Sequence, residues 1–258
     1  MRPGDWSSDV CSSDLRKEKN RTSKIIKTEH GFGFVSARIR LDKRQIMDKR
    51  KKRIGIMGGT FDPIHIGHLI LGETAYEQFQ LDEVLFMPSG NPPHKRNRAH
   101  RATDDQRCEM VKRAIASNPH FSLSLEEMNE DGFTYTYRTL ERLNKKHPNT
   151  EYYFILGADS LFDFDEWKEP ARICQAGIIV VATRNHTKEE ALDETISYLT
   201  KKYNGSFKKL KTLNIDISSA LLRSWVAGKR NIRYYIPDSV IEYIKQNHIY
   251  EECDEHAI

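Results

Sequence analysis

Residues 54–68 read I-G-I-M-G-G-T-F-D-P-I-H-I-G-H, and this stretch decides the predicted fold. The apolar run from Ile54 to Met57 has no polar alternation, which is typical of a strand covered on both faces in a parallel sheet. Gly58 and Gly59 end the run, and two glycines allow a sharp turn and a close approach of a ligand to the backbone. The stretch therefore predicts a buried strand that ends in a glycine turn.

A helix is predicted directly after this turn. Apolar residues return at helical spacing from about Ile66, so His65 and His68 should lie at or near a helix N-terminus. Free backbone N–H groups and the helix dipole favour anions there, and two imidazoles three residues apart can both face a phosphate. The same spacing also suits a metal pair or two surface histidines. The adjacent glycine turn favours the phosphate, because open α/β sheets place ligands at the carboxyl ends of strands.

The rest of the chain alternates strands with helices and shows no internal repeat. Further buried strands are predicted at residues 83–88, 121–125, 152–157, 178–182 and 209–215. This alternation indicates a single α/β domain over residues 52–250, doubly wound and Rossmann-like, with a mainly parallel sheet.

Both ends of the chain are predicted to lie outside this domain. Residues 1–15 include D-V-C-S-S-D-L, which resembles a translated sequencing-adapter oligonucleotide, and we interpret them as an artefact. Residues 16–51 are polar, rich in Lys and Arg and without periodicity, so a disordered basic extension is expected. Residues 251–258 are expected to be frayed.

The charge distribution argues against a nucleic-acid partner. The formal net charge is +4, yet residues 16–53 alone hold fifteen Lys or Arg and four Asp or Glu, so the rest of the chain is net negative. No apolar run approaches the ~18 residues of a membrane span, and no secretory signal precedes the domain. The cysteines are widely spaced without a C-x-x-C pair, which is typical of reduced thiols. We therefore expect a cytoplasmic protein that binds neither nucleic acid nor membrane.

Two motifs together resemble a known family. The stretch G-G-T-F-D-P-I-H-I-G-H is similar to the nucleotide-binding signature of the nucleotidyltransferase superfamily with its (H/T)-x-G-H motif, and its full form resembles that of the bacterial nicotinate-nucleotide adenylyltransferases. Later in the chain, Ile217 to Arg223 match the second signature of the superfamily, I-S-S-x-x-[IL]-R. The resemblance spans residues 52–250, nearly all of the predicted domain.

The resemblance implies transfer of the adenylyl group of ATP to nicotinate mononucleotide, which gives deamido-NAD and pyrophosphate. The acceptor's own 5′-phosphate would attack the α-phosphorus, so the protein aligns two polyanions and needs no nucleophile of its own. His65, His68 and Arg223 are the implied catalytic residues, with His68 the expected transition-state contact. Mg²⁺ is expected to arrive with ATP, and no metal site built from protein ligands is predicted.

The residues implied to bind ATP follow strands or lie at the beginning of helices. Ser218 is also an ordinary N-cap candidate, and Asp159 after the fourth strand could equally cap the next helix. For Arg184 after the fifth strand, the alternative is a solvated loop position. The implied ATP-binding residues are Gly58, Gly59, Thr60, Phe61, His65, His68, Gly157, Asp159, Arg184, Ser218 and Arg223.

The implied site for nicotinate mononucleotide comes from three other segments. The P-P-H-K loop holds His94 and Lys95, the Y-T segment holds Tyr135 and Thr136, and Trp167 is the implied stacking surface. Each segment also has a purely structural interpretation. The P-P-H-K segment could be an ordinary surface loop, the Y-T segment could cap a helix, and Trp167 could pack in the core.

Three positions depart from the family pattern. Arg138 stands where an acidic residue is common, which changes the charge at the predicted helix start beside Tyr135. Asn185 and His186 replace the usual Pro-Gly directly after Arg184.

Two other functions fit parts of this sequence. A sister nucleotidyltransferase would use the same signatures on nicotinamide mononucleotide or phosphopantetheine, and a non-enzymatic nucleotide-binding sensor would bind ligands without turnover. The P-P-H-K loop, the Y-T segment and Trp167 favour a pyridine nucleotide. The choice between its acid and its amide stays open, because backbone N–H groups can bind a carboxylate without leaving a residue signature. ATP and nicotinate mononucleotide are the expected partners, and a homo-oligomer is compatible with the sequence.

Overall fold

The computed structural model describes residues 50–90, 101–128, 132–182, 189–213 and 215–251. Its strands are β1 (Lys52–Gly59), β2 (Glu83–Pro88), β3 (Phe121–Leu123), β4 (Thr150–Gly157), β5 (Ile178–Ala182) and β6 (Phe207–Leu210). They form one sheet in the order β3-β2-β1-β4-β5-β6, and every neighbouring pair is parallel. The predicted doubly wound, Rossmann-like architecture is confirmed.

Helices cover both faces of this sheet. Side chains of α1, α2, α7 and α8 pack in one hydrophobic cluster, and those of α3, α4, α5 and α6 pack in a second cluster on the opposite face. In the part of the chain that the structure describes, the helices are α1 (Ile66–Phe79), α2 (Asp104–Ile115), α3 (Thr136–Lys146), α4 (Ala158–Phe162), α5 (Pro170–Ala176), α6 (Glu189–Tyr203), α7 (Ser219–Ala227) and α8 (Asp238–Gln246), with a 3-10 turn at Phe164–Glu166.

The central parts of β1, β4 and β5 are apolar because both of their faces are buried. Successive residues of β5 show this, since Val180 joins the first cluster while Ile179 and Val181 join the second. Burial of one such side chain contributes roughly 1.5–3 kcal/mol relative to leaving it exposed. The central strands therefore stabilise both layers of helices at once.

The strand order reverses at β1. From there the chain builds β2 and β3 toward one edge, and β4 then pairs with the other side of β1. Ile56 lies opposite Leu85 on one side and opposite Phe154 on the other. Connections that leave β1 and β4 for opposite faces open a crevice at the carboxyl ends of these strands, where such sheets bind ligands. The glycine turn of the first signature lies at this crevice.

Several predicted strand boundaries are wrong. Gly58 and Gly59 were predicted to end the first strand, but they are its last two paired residues, and the turn follows them. β4 and β6 each begin two residues earlier than predicted, at Thr150 and Phe207.

The sixth strand was expected at residues 209–215 and the third at 121–125, but β6 ends at Leu210 and β3 ends at Leu123. Leu210 lies opposite Ala182, and the residues that follow Ala182 up to residue 188 lie outside the described ranges. Leu213 and Ile215 are further apolar residues after Leu210, and for this reason the sequence pattern predicted a longer strand.

The domain boundaries are only partly within the described residues. Residues 1–15, the basic extension up to residue 49 and the tail from residue 252 lie outside them. The interpretation of these segments as artefact, extension and frayed end stays a prediction.

Arg107 on α2 joins the ends of β1 and β2. Its side chain is buried and donates hydrogen bonds to the carbonyl oxygens of Thr60 at 2.8 Å and Ser89 at 2.9 Å. It also pairs with the carboxylate of Asp104 at 2.8 Å. Thr60 and Ser89 directly follow the two strands, so one guanidinium fixes both strand ends at the edge of the crevice.

Replacement of Arg107 by leucine should lower the free energy of unfolding by about 2–4 kcal/mol, because two backbone carbonyls lose their buried donor. Urea denaturation measures the change. Arg113→Leu on the same helix is the matched control, because the Arg113 guanidinium is more exposed and pairs with Glu109 near the surface. This variant should lower the free energy of unfolding by less than about 1 kcal/mol. An Arg107→Leu protein as stable as the parent would show that this link is unimportant.

Candidate active site

The turn after β1 is fixed by packing. Phe61 has a φ of 50°, a left-handed conformation that is uncommon for residues other than glycine, and its ring is almost completely buried. A Cβ at Gly59 would lie only 3.2 Å from this ring, so the close approach favours glycine at that position. Asp62 and His65 are buried as well. The turn is therefore a rigid wall of the crevice and not a loose loop.

The histidine pair lies at the start of α1. His65 is the N-cap residue, and its backbone N–H donates to Nδ1 of His68 at 3.2 Å. The two rings stack with their centroids 3.8 Å apart and their planes inclined by 30°. Because Nδ1 of His68 accepts a hydrogen bond, its Nε2 carries the proton and can donate to a ligand. His68 lines a cavity, whereas His65 lies behind it and is only 5% exposed.

A cavity of about 510 Å³ extends from the glycine turn to the start of α7, and we name it the β1–α7 cavity. It lies at the carboxyl ends of β1, β4 and β5. Most of the residues predicted to bind ATP line it, namely Gly58, Gly59, Thr60, Phe61, His68, Gly157, Asp159 and Arg223. The structure thus brings together the two signatures, which are far apart in the sequence.

The N-terminal part of α7 is hydrogen-bonded to the turn after β1. Nη1 of Arg223 donates to the carbonyl oxygen of Asp62 at 2.6 Å, and the hydroxyl of Ser219 donates to the carbonyl oxygen of Pro63 at 2.9 Å. Ser218 is the N-cap, and its hydroxyl accepts from the backbone N–H of Leu221 at 3.2 Å. The capping role that the sequence left open for Ser218 is therefore present. Its neighbour Ser219 lines the cavity, whereas Ser218 does not.

A second cavity of about 770 Å³ lies on the other side of the glycine turn, and we name it the β1–α3 cavity. Tyr135, Thr136 and Trp167, all predicted to bind the pyridine nucleotide, line it. The ring of Trp167 packs against Phe154 and Phe164, with centroid distances of 6.2 and 5.5 Å. The indole is thus held by neighbouring aromatic rings while it still forms part of the cavity wall.

The two cavities adjoin at the end of β1. They share the wall residues Gly58, Gly59, Thr60, Phe154, Ser160 and Trp167. Two ligands bound side by side would therefore meet at the glycine turn, close to His68. An arrangement of this kind suits a transfer between two bound molecules, because it positions the reacting groups.

Glu127 lines the β1–α3 cavity and was not predicted. The hydroxyl of Thr139 donates to its Oε1 at 2.9 Å. Burial raises the pKa of Glu127, and this effect exceeds the opposing effects of the Thr139 hydrogen bond and the charge of Arg142. The local sequence S-L-E-E-M gives no signal that would separate it from Glu126, which pairs with Arg142 at 2.9 Å.

Asp62 and Arg101 also line the β1–α7 cavity without having been predicted. Asp62 belongs to the first signature, so its position next to Phe61 was a usable signal. Arg101 follows residues that lie outside the described ranges, and nothing in its neighbourhood marks it as a site residue.

Arg138, the departure from the family pattern, lies over aromatic rings. Its guanidinium carbon is 5.4 Å from the ring centroid of Tyr135 and 5.7 Å from that of Tyr137. Its Nε donates to the Tyr137 hydroxyl at 3.0 Å. The cation is thus accommodated at the start of α3 by cation–π contacts.

Three predicted site residues lie outside the described residues. They are His94, Lys95 and Arg184, and the Asn185-His186 departure lies there too. Their roles stay predictions. Among the residues that are described, no helix is long and apolar enough to span a membrane, and no group of three or more His, Cys, Asp or Glu side chains is arranged to hold a metal ion.

Comparison with known proteins finds a matching family model and relatives that share one name. The cytidylyltransferase-like family model matches residues 56–225. A protein of Lachnoclostridium phytofermentans named probable nicotinate-nucleotide adenylyltransferase is 40% identical over 77% of this chain and 99% of its own length. A protein of the same name from Thermoanaerobacter sp. is 38% identical over 81% of this chain and 100% of its own.

Solved structures agree in fold. The nicotinic acid mononucleotide adenylyltransferase of Plasmodium falciparum, complexed with NaAD, has a TM-score of 0.62 and 24% identity, and the alignment covers 77% of this chain and 97% of that one. The same protein complexed with APC gives a TM-score of 0.60 at 23% identity, with the same coverage. The chain is therefore an enzyme of the cytidylyltransferase-like nucleotidyltransferases and belongs to their nicotinate-nucleotide adenylyltransferase family.

Proposed function

We propose that this enzyme transfers the adenylyl group of ATP to nicotinate mononucleotide and forms deamido-NAD and pyrophosphate. The observation that carries the proposal is the junction of two cavities at Gly58, Gly59 and Thr60. A nucleoside triphosphate in the β1–α7 cavity and a mononucleotide in the β1–α3 cavity would bring their phosphates together there. The names of the relatives, nicotinate-nucleotide adenylyltransferase, describe the same pairing of donor and acceptor.

In this mechanism the acceptor performs the attack. An oxygen of its 5′-phosphate forms a bond to the α-phosphorus of ATP, while the bond from that phosphorus to the bridging oxygen of the β-phosphate breaks and pyrophosphate leaves with the electron pair. Donors that are already in place stabilise the charge that develops. Nε2 of His68 is assigned to the reacting phosphate, and His65 holds the ring of His68 by stacking and through its backbone N–H.

The leaving pyrophosphate is assigned to the α7 side. Arg223 contributes a permanent positive charge, and the N-terminus of α7 after Ser218 contributes free N–H groups and the positive end of the helix dipole. Asp159, Gly157 and Phe61 complete the walls of the ATP site in this proposal.

Mg²⁺ is proposed to enter with ATP. The β1–α7 cavity contains the carboxylates of Asp62 and Asp159, and Asp159 is exposed in it, so the residues fit an ion that keeps most of its ligands as water and phosphate. Asp159 would contact the hydrated ion, whose charge would offset that of the triphosphate.

The acceptor is assigned to Trp167, Tyr135 and Thr136. Trp167 offers a flat surface for a pyridine ring, and Tyr135 and Thr136 lie at the N-terminus of α3, where backbone N–H groups favour a carboxylate. His94 and Lys95, which follow β2 in the sequence, are proposed to bind the mononucleotide as well. This assignment favours the acid over the amide of the pyridine ring.

A comparison of acceptors tests the proposal. Pyrophosphate release from Mg·ATP is measured with nicotinate mononucleotide, nicotinamide mononucleotide and phosphopantetheine offered separately. We expect pyrophosphate release with nicotinate mononucleotide. The kcat/KM for each of the other two acceptors should be at least about tenfold lower, because they lack the carboxylate and leave its binding groups unpaired. Faster release with another acceptor would identify a sister nucleotidyltransferase. ATP binding without release in any mixture would identify a sensor.

Trp167→Ala should raise the KM for nicotinate mononucleotide about tenfold, because a stacking surface is lost. The same ring is a shared wall of the β1–α7 cavity, so the KM for ATP should also rise, but by a smaller factor. Initial rates with each substrate varied in turn measure both values. Trp167→Phe keeps an aromatic surface and serves as the matched control, with a KM close to that of the parent. An equal rise in both KM values for Trp167→Ala would contradict the assignment of the β1–α3 cavity to the acceptor.

The cytoplasm is the proposed compartment. Cys108 and Cys174 are free thiols, and burial raises the pKa of both, that of Cys174 to about 11. Such thiols stay protonated at neutral pH, as expected for structural cysteines in a reducing compartment.

A further inference from the structure

A buried carboxylate connects the glycine turn to the end of the chain. Oδ1 of Asp62 accepts one hydrogen bond from the hydroxyl of Tyr250 at 2.7 Å and another from the backbone N–H of Ala102 at 3.1 Å. Asp62 is only 2% exposed, and Tyr250 lies 188 residues further along the chain. The hydrogen bond from Tyr250 therefore joins the turn after β1 to a segment that is far away in the sequence.

The other oxygen of the same carboxylate faces two cations. Oδ2 of Asp62 is 3.6 Å from Nη1 of Arg223 and 4.0 Å from Nε of Arg101, and it has no hydrogen-bond partner among the described residues. Both arginines line the β1–α7 cavity. Nη1 of Arg223 is also held by the backbone carbonyl oxygen of Asp62 at 2.6 Å. The charge of Oδ2 attracts both guanidinium groups, and its distance from each depends on the orientation that Tyr250 gives to the carboxylate.

The segment that carries Tyr250 is fixed by the end of α8. His248 has a φ of 50°, and the N–H of Ile249 donates to the carbonyl oxygen of Ile244 at 3.0 Å, which is the common Schellman ending of a helix. Ile249 is buried, and Tyr250 follows it with a φ of 67°. The helix end therefore sets the position from which the hydroxyl of Tyr250 reaches Asp62.

The hydroxyl of Tyr250 remains a donor at neutral pH. Burial and the adjacent charge of Asp62 raise its pKa far above the usual range, and the charges of Arg223 and Arg107 oppose this only in part. The proton is therefore fixed on the tyrosine, and Asp62 is the acceptor.

We infer that Tyr250 is a positioning residue for the nucleoside triphosphate site: its hydroxyl orients Asp62, and Asp62 orients Arg223 and Arg101 toward the phosphates. This inference rests on the proposed function, because it assigns the β1–α7 cavity to ATP. It extends the site to the segment after α8, which neither signature contains. Asp62, Arg101 and Arg223 line the β1–α7 cavity and not the β1–α3 cavity, so the effect belongs to ATP and not to the acceptor.

Tyr250→Phe in the full chain tests the inference, because it keeps the ring and removes one hydroxyl. We expect kcat/KM for ATP to fall about tenfold, as for the loss of a hydrogen bond to a charged group, with the KM for nicotinate mononucleotide unchanged. Tyr152→Phe is the matched control. Its hydroxyl also makes a buried hydrogen bond, to the carbonyl oxygen of Leu143 at 3.3 Å, but it lies outside both cavities. The control should keep both kinetic constants, and the melting temperatures of the two variants should be similar.

A double-mutant cycle with Asp62→Asn separates positioning from general destabilisation. Asp62→Asn should lower kcat/KM for ATP by itself, and adding Tyr250→Phe should then change it by less than twofold, because the hydroxyl acts through the carboxylate. The inference fails if Tyr250→Phe keeps kcat/KM for ATP within twofold of the parent, if Tyr152→Phe loses as much, or if the two losses multiply fully in the double variant. The proposed function is judged separately, by turnover of the parent protein with nicotinate mononucleotide.

Discussion

His68→Ala is expected to lower kcat by about 100-fold or more without unfolding the protein, because one preorganised donor at the reacting phosphate is lost. Its Nε2 carries the proton, since Nδ1 accepts from the backbone N–H of His65 at 3.2 Å. The side chain lines the β1–α7 cavity, and its ring packs edge-on against Phe61 with centroids 5.0 Å apart. The initial rate of pyrophosphate release at saturating Mg·ATP and acceptor measures the loss.

Two further variants make this test specific. His147→Ala removes an exposed imidazole next to α3, outside both cavities, and should leave kcat unchanged. His65→Ala should lower kcat less than His68→Ala, because His65 acts by holding the neighbouring ring. A His68→Ala enzyme with the turnover of the parent would remove His68 from the mechanism.

Arg223→Ala is expected to lower kcat/KM for ATP by about 100-fold, because it removes a fixed cation from the wall where the pyrophosphate leaves. It should also lower the free energy of unfolding by about 1–3 kcal/mol, because the carbonyl oxygen of Asp62 loses its donor and the buried carboxylate loses the nearer of the two guanidinium groups that it faces among the described residues. Steady-state kinetics and urea denaturation measure the two effects.

Two control variants accompany Arg223→Ala, one at the same position and one at a different arginine. Arg223→Lys keeps the charge but loses the planar fork, and we expect a loss between those of the parent and of the alanine variant. Arg230→Ala removes an exposed arginine, whose guanidinium carbon is 4.3 Å from the ring centroid of Trp225, and should leave the kinetics unchanged. An equal loss for Arg230→Ala and Arg223→Ala would mean that only the overall charge matters.

Much of the fold was predictable because its signals are local. The strand, turn and helix of residues 54–68 follow from an apolar run, two glycines and a return of helical spacing, and the structure has β1, the turn and α1 there. β2 and β5 were predicted with the bounds that the structure gives them, since Pro88 and the residues flanking β5 mark their ends. The boundary of β6 was not predictable in this way, because Leu213 and Ile215 continue the apolar composition past Leu210 and no glycine or proline marks the end of the strand.

The candidate site was predictable where a motif carries it and not elsewhere. His68, Arg223 and Trp167 line the cavities, and each was found through its resemblance to a family motif. The contact between Asp62 and Tyr250 joins residues 188 positions apart, and no local pattern reports such a pair. Likewise, Glu127 is set apart from Glu126 only by the cavity that it lines.

The central claim is a direct transfer between two ligands that meet at the glycine turn, with no covalent intermediate on the protein. It is tested by the configuration at the α-phosphorus after turnover of chirally thio-substituted ATP with nicotinate mononucleotide. A single in-line displacement predicts deamido-NAD analogue with inverted configuration. Retained configuration would show two displacements and a covalent adenylyl-enzyme, and it would contradict the account.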